Sequence, residues 1–254
     1  MPGVQSVERA FALLHEIAQK PSTLSELSRR TGLATSTVGR LLATLAKDGT
    51  VVRDRSGAYR IGPAVTALAA AADPAYSLVE VANRTLVELA ARVGESACIS
   101  IGQGNEIRHV AQINTAHPVQ VKDWVGTRAP LHGGSPGLVV LSGWPDAQLE
   151  RYLERRLLPM TVHTVTAPAV LRERVKQIRT VGHLWTHEEG ADGISVVAAP
   201  VRNSAGAVIA SLHAWGPSYR FPQKGTADRI AHQVVEAAER VSSMLGCRPA
   251  TGIQ

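Results

Sequence analysis

The stretch from Thr23 to Gly62, TLSELSRRTGLATSTVGRLLATLAKDGTVVRDRSGAYRIG, decides how the N-terminal part of the chain folds. Its first segment has helical spacing of apolar residues, and we expect Ser22 to start that helix and Gly32 to stop it. After two residues a longer helix follows, TSTVGRLLATLAKDG. A short helix, a tight turn and a longer helix form the layout of a helix-turn-helix.

Another helix is predicted before this stretch, with Ser6 as its N-cap. It ends before Pro21, because proline cannot continue a helix. Its apolar residues recur at helical spacing and predict the face it buries: Val7, Ala10, Phe11, Leu14 and Ala18.

The longer helix of the helix-turn-helix has two different faces. One face is an apolar stripe at helical spacing, formed by Val38, Leu41, Leu42 and Leu45. The opposite face is short, polar and basic, formed by Ser36, Arg40, Ala43 and Lys47. Such a face lets a helix enter the major groove of DNA closely, although a solvated face on a small helical bundle has the same spacing.

A basic hairpin follows this helix directly. The segments TVVR and AYRIG flank DRSG, in which Asp54 and Gly57 suit the ends of a type I turn. Three arginines, Arg53, Arg55 and Arg60, lie near its tip. A basic hairpin beside a recognition helix indicates a wing that binds phosphates. The expectation is a winged helix-turn-helix, with a non-binding three-helix module as the alternative.

The distribution of charge agrees with this interpretation. The net charge is +6, yet residues 1–72 hold nine basic and five acidic side chains against eighteen and sixteen in residues 73–254. A basic N-terminal part and a nearly neutral remainder favour a small DNA-binding domain on a larger body. The start of the chain lacks the layout of a signal peptide, no apolar run reaches the ~20 residues of a membrane span, and two cysteines fit a reducing compartment. We therefore expect a soluble cytoplasmic protein.

The remainder of the chain predicts a mixture of helices and strands. An alanine-rich helix over 63–72 follows the hairpin, and its apolar surface is a candidate for dimerisation. Strands are predicted in five segments: ACISI, EIRHVAQI, VQVKDWV, ISVVAAPV and AVIASLHAW. The first two pair as one antiparallel hairpin, and the last two pair as another. Helices are predicted from Pro145, from Pro168 to Gly182, and from about residue 225 to Gly246. The fold class is α+β, with a body suited to binding a small molecule.

The segment LHGGSPGLVV, residues 131–140, contains G-x-S-x-G, the pattern of a serine-hydrolase nucleophile elbow. The oxyanion hole needs the N–H of the residue after the serine, and Pro136 has none. The preceding TRAPLHGG is also poor strand material. We instead expect Ser135 to cap a short helix whose N-terminus suits an anion, with a hydrolase of small esters or amides as the alternative function.

No metal site and no cofactor are predicted from the sequence. His183 and His187 in HLWTHEEG are the nearest candidate for metal ligands. They lie four residues apart on a predicted strand, which separates them by about 13 Å, too far for one ion.

The chain resembles the IclR family of bacterial transcription regulators. The resemblance rests on SVERAFALLHEIAQ, on the helix-turn-helix and wing described above, and on RTVGHLWTHEEGADGISVVAAPVRNSAGAVIASLHAWGP. It implies a winged helix-turn-helix over 1–62, a linker helix over 63–76 and a GAF-like effector domain over 77–254. It also implies a homodimer or homotetramer that binds a palindromic operator in double-stranded DNA, most often as a repressor, with no enzymatic activity.

Site residues follow from matching this sequence to the family pattern. The implied DNA contacts are Thr35, Ser36, Thr37, Arg40, Thr44, Lys47, Arg53 and Arg55. Many relatives carry His or Tyr where this chain has Gly39, and a T/S-A-x-G-K pattern where it has Ser135–Val139.

The effector residues are drawn from the loop after the second hairpin strand and from the strands that follow the EEG segment. The implied contacts are Trp124, His132, Gly133, Ser135, Val196, His213 and Trp215. His213 and Trp215 replace two small hydroxyl residues of some relatives, so the pocket has an aromatic wall and a protonatable donor. This wall predicts that the effector is an organic acid, in particular an aromatic acid or acyl derivative.

Overall fold

The computed structural model describes residues 4–71, 74–115 and 123–247. The chain divides into two compact units, Met1–Pro74 and Ala75–Gln254. The first unit contains four helices and a two-stranded sheet among its described residues: α1 (Gln5–Gln19), α2 (Leu24–Thr31), α3 (Thr35–Lys47), β1 (Val51–Arg53), β2 (Tyr59–Ile61) and α4 (Pro63–Ala71).

Local signals set the ends of α2. Thr23 and Glu26 form a capping box, in which each residue's side chain accepts a hydrogen bond from the other's backbone N–H. Gly32 ends the helix with a left-handed backbone, φ 70°, which favours glycine. The expectation that Ser22 starts this helix is wrong by one residue, because Ser22 instead exchanges backbone hydrogen bonds with Tyr59 of the hairpin.

The buried face of α1 differs from the predicted one. The helix begins at Gln5 without a side-chain cap, so Ser6 is not its N-cap. The core of the unit takes Leu13 and Ile17 from α1, whereas Val7 and Phe11 stay 50% and 58% exposed. This helix has apolar residues on more than one side, and packing against α2 and α3 selects the side that is buried. The remaining core residues are Leu27, Val38, Leu42 and Val51.

The second unit is built on one antiparallel sheet of six strands. Its order is β5-β4-β3-β8-β7-β6, and every neighbouring pair is antiparallel. The elements are α5 (Pro74–Val93), β3 (Ser96–Gln103), β4 (Glu106–Ile113), β5 (Arg128–Pro130), α6 (Ser135–Ser142), α7 (Asp146–Leu153), α8 (Pro168–Val181), β6 (Leu184–His187), β7 (Ile194–Arg202), β8 (Val208–Pro217) and α9 (Ala227–Met244).

Helices cover both faces of this sheet. On one face, α5 and α9 pack on apolar side chains such as Ile99, Val197 and Leu212. On the other face, α6, α7 and α8 form a second core with Ile107 and Ala198. Because successive strand residues point to opposite faces, polar residues at alternate positions of β3 and β8 lie on the α6 side. A cavity that is described below lies on that same side.

The structure confirms the predicted hairpins and the α+β class and corrects details. The predicted strand VQVKDWV lies mostly outside the described residues. TRAPLHGG does contain a short edge strand, β5, which ends at Pro130 because proline cannot donate to the ladder. The helix predicted from Pro145 begins at Asp146. Within the described residues, no helix combines the length and apolar character needed to cross a bilayer.

Candidate DNA-binding surface and effector cavity

The outer face of α3 is exposed, and its inner face is anchored in the core. Val38 and Leu42 are fully buried. The predicted DNA contacts on this helix lie on the exposed side, with Thr37 half-buried: Thr35, Ser36, Arg40, Thr44 and Lys47. Within the described part of the chain, neither Arg40 nor Lys47 forms an ion pair. The charged groups of Arg40 and Lys47 are therefore exposed on a helix that is anchored in the core.

The wing has an internal charge arrangement. Asp54 begins the predicted turn, closed by the Gly57 N–H donating to the Asp54 carbonyl oxygen at 3.0 Å. Its carboxylate accepts from Ser56 and from the Arg60 guanidinium, and these bonds lower the pKa of Asp54 to about 2. The positive charge of Arg60 is thus paired with the Asp54 carboxylate.

Two arginines remain as the cationic side chains of the wing. Arg53 donates to the Gly57 carbonyl at 3.2 Å, and its guanidinium lies 5.7 Å from the ring centroid of Tyr59. Arg55 is exposed at the tip and forms no ion pair with the described residues. Both contacts are made by the guanidinium of Arg53, which keeps the side chain on the hairpin while the residue as a whole remains exposed.

A separate cavity lies in the second unit, on the α6 side of the sheet. Its accessible volume is about 60 Å³. Three aromatic rings form much of its wall, with centroids 5.4 Å apart for His109 and Trp215, 5.9 Å for Trp124 and Trp215, and 6.3 Å for His109 and Trp124. The wall contains no lysine or arginine among the described residues.

Four of the seven predicted effector residues line this cavity: Trp124, Gly133, Val196 and Trp215. The indole nitrogens of Trp124 and Trp215 are buried and have no hydrogen-bond partner within the described chain. An indole N–H is only a donor, so two unsatisfied donors belong to the cavity wall. A ligand with an acceptor oxygen would satisfy them.

Ser135 is held by hydrogen bonds inside the protein. The helix N-cap is Gly134, so the prediction that Ser135 caps α6 with its side chain is wrong. Its hydroxyl donates to the Val196 carbonyl at 3.3 Å and accepts from the Thr186 hydroxyl at 3.0 Å. The side chain is fully buried, and no imidazole bonds to it among the described residues. A nucleophile needs an adjacent base, which this serine lacks.

The N-terminus of α6 is not an open anion site either. The N–H of Ser135 donates to the Thr186 hydroxyl at 3.1 Å, and that of Gly137 to the Gly134 carbonyl at 3.2 Å. Pro136 has no N–H. The first-turn donors that we expected to face an effector are therefore already used or missing.

The two histidines among the predicted effector residues lie behind the wall. His132 contacts the Tyr152 hydroxyl at 2.8 Å and the Leu158 carbonyl at 2.9 Å, so both of its ring nitrogens are used for structure. His213 has no exposed surface and is covered by the rings of His109 and Trp215, with centroids at 5.7 Å and 5.3 Å. Burial, and then the neighbouring His109, lower the pKa of His213 to about 3. It is neutral at physiological pH and not the protonatable donor that we predicted.

Several wall residues were missed by sequence reasoning: Ile107, His109, Met160, Thr186, Gly190 and Ala191. For His109 a signal exists, because alternation along EIRHVAQI places Ile107 and His109 on one face of the strand. Burial lowers the pKa of His109 to about 4, so it is also neutral. Nothing in the local sequence of Met160, in a segment without regular secondary structure, indicates a place above the sheet.

An exposed basic helix with a wing in one unit, and a partly open aromatic cavity on a sheet in the other, define a winged-helix DNA-binding protein with a sensor domain. The chain belongs to the IclR family of bacterial transcriptional regulators. Residues 72–243 match the family model described as bacterial transcriptional regulator IclR C-terminal, and residues 6–55 match the IclR helix-turn-helix domain.

Individual relatives agree over nearly the whole length. The chain is 32% identical to the HTH-type transcriptional regulator BhcR of Paracoccus denitrificans, over 98% of this chain and 90% of the relative. It is 28% identical to the transcriptional repressor AllR of Escherichia coli K12, over 97% and 92%. Both relatives are named as transcriptional regulators, so these comparisons give no support to the alternative hydrolase function through Ser135.

Solved structures show the same architecture. An IclR regulator structure from Silicibacter sp. TM1040 matches with a TM-score of 0.79 at 25% identity, covering 97% of this chain and 98% of that one. An IclR homologue from Microbacterium hydrocarbonoxydans, complexed with 4-hydroxybenzoate, matches with a TM-score of 0.61 at 25% identity over 94% and 98%. The chain is thus a transcriptional regulator with a DNA-binding helix-turn-helix domain and an effector domain.

Proposed function

We propose that this regulator is a cytoplasmic repressor that binds a palindromic operator and releases it when a small aromatic acid or acyl derivative occupies the cavity. The observation that carries the DNA part is the exposed face of α3, where Arg40 and Lys47 are free of ion pairs among the described residues. Arg40 would contact a base edge, and Lys47, Arg53 and Arg55 would contact phosphates. The hydroxyl residues Thr35, Ser36, Thr37 and Thr44 would complete the interface.

A homodimer, or a dimer of dimers, is part of this proposal. One recognition helix reads only about three or four base pairs, so a specific operator needs at least two copies. Exposed apolar side chains of the first unit support self-association, with Val7 and Phe11 on α1 and Leu68, 72% exposed, on α4. We keep 1–62, 63–76 and 77–254 as the proposed limits of the DNA-binding domain, linker helix and effector domain.

The cavity supports an aromatic effector. Two indole rings and one imidazole offer faces and edges for a ring of the ligand, and the unpaired Trp124 and Trp215 N–H groups can donate to its oxygen atoms. A cavity of about 60 Å³ is smaller than the ~150 Å³ that holds benzene in a buried site. Binding therefore requires the cavity to widen, and Met160, 39% exposed, is the most exposed residue of its wall.

The DNA part is tested by fluorescence anisotropy with the full-length protein and duplexes from the region upstream of its own gene. We expect one duplex to bind at least tenfold more tightly than a scrambled duplex of equal length, with a steep salt dependence. Equal affinity for both duplexes at every salt concentration would contradict the proposal.

The effector part is tested by adding ligands to the preformed complex. Benzoate, 4-hydroxybenzoate and phenylacetate are compared with 4-hydroxycyclohexanecarboxylate, which has the same charge without the aromatic ring. We expect at least one aromatic acid to release the duplex and the saturated acid to be ineffective at that concentration. Equal potency of the saturated acid would show that the aromatic wall does not select the ligand.

We infer that the protein has no hydrolytic activity. Ser135→Ala should leave both DNA binding and its release by the acid within about twofold, because the serine only joins α6 to β6 and β7. Hydrolysis of 4-nitrophenyl acetate that disappears in this variant would instead establish a catalytic serine.

A further inference from the structure

Three side chains with metal-binding atoms meet on neighbouring strands beside the cavity. Cys98 on β3 lies directly opposite His213 on β8, so the two share a face of the sheet. His109 on β4 is paired with Ser100, two residues along β3, and a register shift between Ile99 and Ser100 lets this face of β4 approach Cys98. The sulfur atom and one nitrogen of each histidine all lie within 4.8 Å of one another.

One of the three separations already matches that of two ligands on a single ion. The Cys98 Sγ is 3.7 Å from the His109 Nδ1. A tetrahedral zinc ion holds sulfur at about 2.3 Å and nitrogen at about 2.0–2.1 Å, which puts two such ligand atoms about 3.5 Å apart. The sulfur and nitrogen of this pair are therefore already at ligand spacing.

His213 is oriented like a metal-binding histidine, in which one ring nitrogen is held by the protein and the other is left for the metal. Its Nδ1 is 3.3 Å from the Ser211 carbonyl oxygen, which can only accept, so the Nδ1 carries the proton. The Nε2 then has a free lone pair, and it is buried without a hydrogen-bond partner in the described chain. A histidine N–H that donates to a backbone carbonyl while the other nitrogen is free is the usual arrangement around a bound metal.

We propose that Cys98, His109 and His213 form a zinc site at the back of the effector cavity. Sulfur and imidazole are ligands that zinc prefers. The two histidines bind as neutral imidazoles, and Cys98 binds as a thiolate after its proton leaves to solvent. His109 contacts Ser100 Oγ at 2.8 Å in the metal-free protein, and this hydrogen bond is exchanged for the metal. The sequence alone predicted no metal, because residues 98, 109 and 213 are far apart along the chain.

The ion would also supply what the cavity wall lacks. The wall has no lysine or arginine among the described residues, although the proposed effector is an acid. Zinc with one thiolate keeps a single positive charge, and three protein ligands leave a fourth position open. His109 and Trp215 belong to the cavity wall, so we infer that the acid's carboxylate fills this position. This last step rests on the proposed function, whereas zinc binding does not.

The zinc site is tested by titrating the reduced, metal-free, full-length protein with Zn²⁺ and with Co²⁺ as its spectroscopic substitute. We expect one ion per chain and a thiolate-to-cobalt absorption band. Cys98→Ser should remove the band, and His213→Asn should weaken binding by at least about 100-fold, since even outer-sphere changes cost 10–100-fold. The matched controls are Cys247→Ser and His187→Asn, which should bind like the wild type.

Every outcome of this titration decides the proposal. Circular dichroism and DNA binding identify a variant that fails to fold. If Cys98→Ser fails to fold, the band of Cys247→Ser decides instead, because Cys98 is then the one cysteine of the chain. Absence of the band in wild type or in Cys247→Ser, its survival in Cys98→Ser, or binding of Cu⁺ but not Zn²⁺ would overturn the zinc site.

The carboxylate step has a separate readout. An aromatic acid that releases the operator should also change the visible Co²⁺ spectrum of the loaded protein. If the acid releases DNA without changing that spectrum, the zinc site stands and the coordination of the effector is wrong. If no acid releases DNA but the ion binds as described, the proposed effector class fails and the zinc site remains.

Discussion

The outer face of α3 and the α6-side face of the sheet carry the two tasks of this regulator and obey opposite physical rules. Most polar residues of α3 are exposed, and the charged ends of Arg40 and Lys47 lie in solvent. Those of the sheet are buried and neutral, since burial lowers the pKa values of His109 and His213 and raises that of the Cys98 thiol. The α3 face is suited to binding a charged polymer that remains hydrated. The sheet face is suited to binding a small ligand that takes the place of solvent in the cavity.

This difference also separates how the two regions tolerate change. An exposed helix face has space around each side chain, so substitutions there alter binding more than folding. The buried helix α6 is completely enclosed, because all eight of its residues are buried. Substitutions there should alter folding first, and the four predictions below use this contrast in order of expected effect.

Gly137→Ala should have the largest effect. A methyl group at this position collides with the Leu131 carbonyl, which is backbone and cannot move aside. We expect the second unit to lose about 3 kcal/mol of unfolding free energy, the upper end for overpacked cores. Urea denaturation followed by tryptophan fluorescence measures this, since all four tryptophans lie in that unit. A loss below about 1 kcal/mol would mean that α6 can shift on the sheet.

Arg40→Ala should weaken specific operator binding by about 1–3 kcal/mol with unchanged stability, if Arg40 reads a base edge. Anisotropy titrations against the specific and scrambled duplexes measure it. The matched control is Arg84→Ala on α5, whose side chain is 91% exposed and should not affect DNA binding. An equal loss on both duplexes would reduce Arg40 to a phosphate contact.

Trp215→Phe should weaken binding of a releasing acid by about 1 kcal/mol, the net contribution of one hydrogen bond, because it removes the unpaired N–H and keeps an aromatic ring. Operator affinity without the acid should stay the same. Trp185→Phe is the control, since Trp185 packs on Phe221 on the other face of the sheet. Unchanged acid affinity in Trp215→Phe would remove this donor from the site.

Gly39→Ala should have the smallest effect and the opposite sign to Gly137→Ala. Its methyl group would meet the Leu24 Cδ1 at 3.6 Å, an ordinary contact. Alanine favours a helix over glycine by about 0.5–1 kcal/mol, so the first unit should gain stability. Urea denaturation followed by far-ultraviolet circular dichroism measures it. A loss of stability would show that the packing of α3 against Leu24 of α2 needs the smaller residue.

The N-terminal unit was predictable because its signals are local. The stop at Gly32, the apolar stripe of α3 and the basic wing all lie within forty consecutive residues. The predicted caps Ser6 and Ser22 were wrong, and the choice of core residues in α1 was not visible in the spacing. The cavity was predictable in part. Trp124, Gly133, Val196 and Trp215 line it, while His132, Ser135 and His213 turned out to bond within the protein or to lie behind the wall.

The sequence by itself determined the order of helices and strands, the location of the basic face and the family to which the chain belongs, because periodicity, caps and turn residues act between near neighbours. Only the tertiary structure decided which polar side chains face the cavity and which stay behind its wall. The sheet register brings Cys98, His109 and His213 together from three strands, and the packing of α6 on β6 uses up the N–H donor of Ser135. Contacts of that kind depend on residues tens of positions apart, and no local pattern records them.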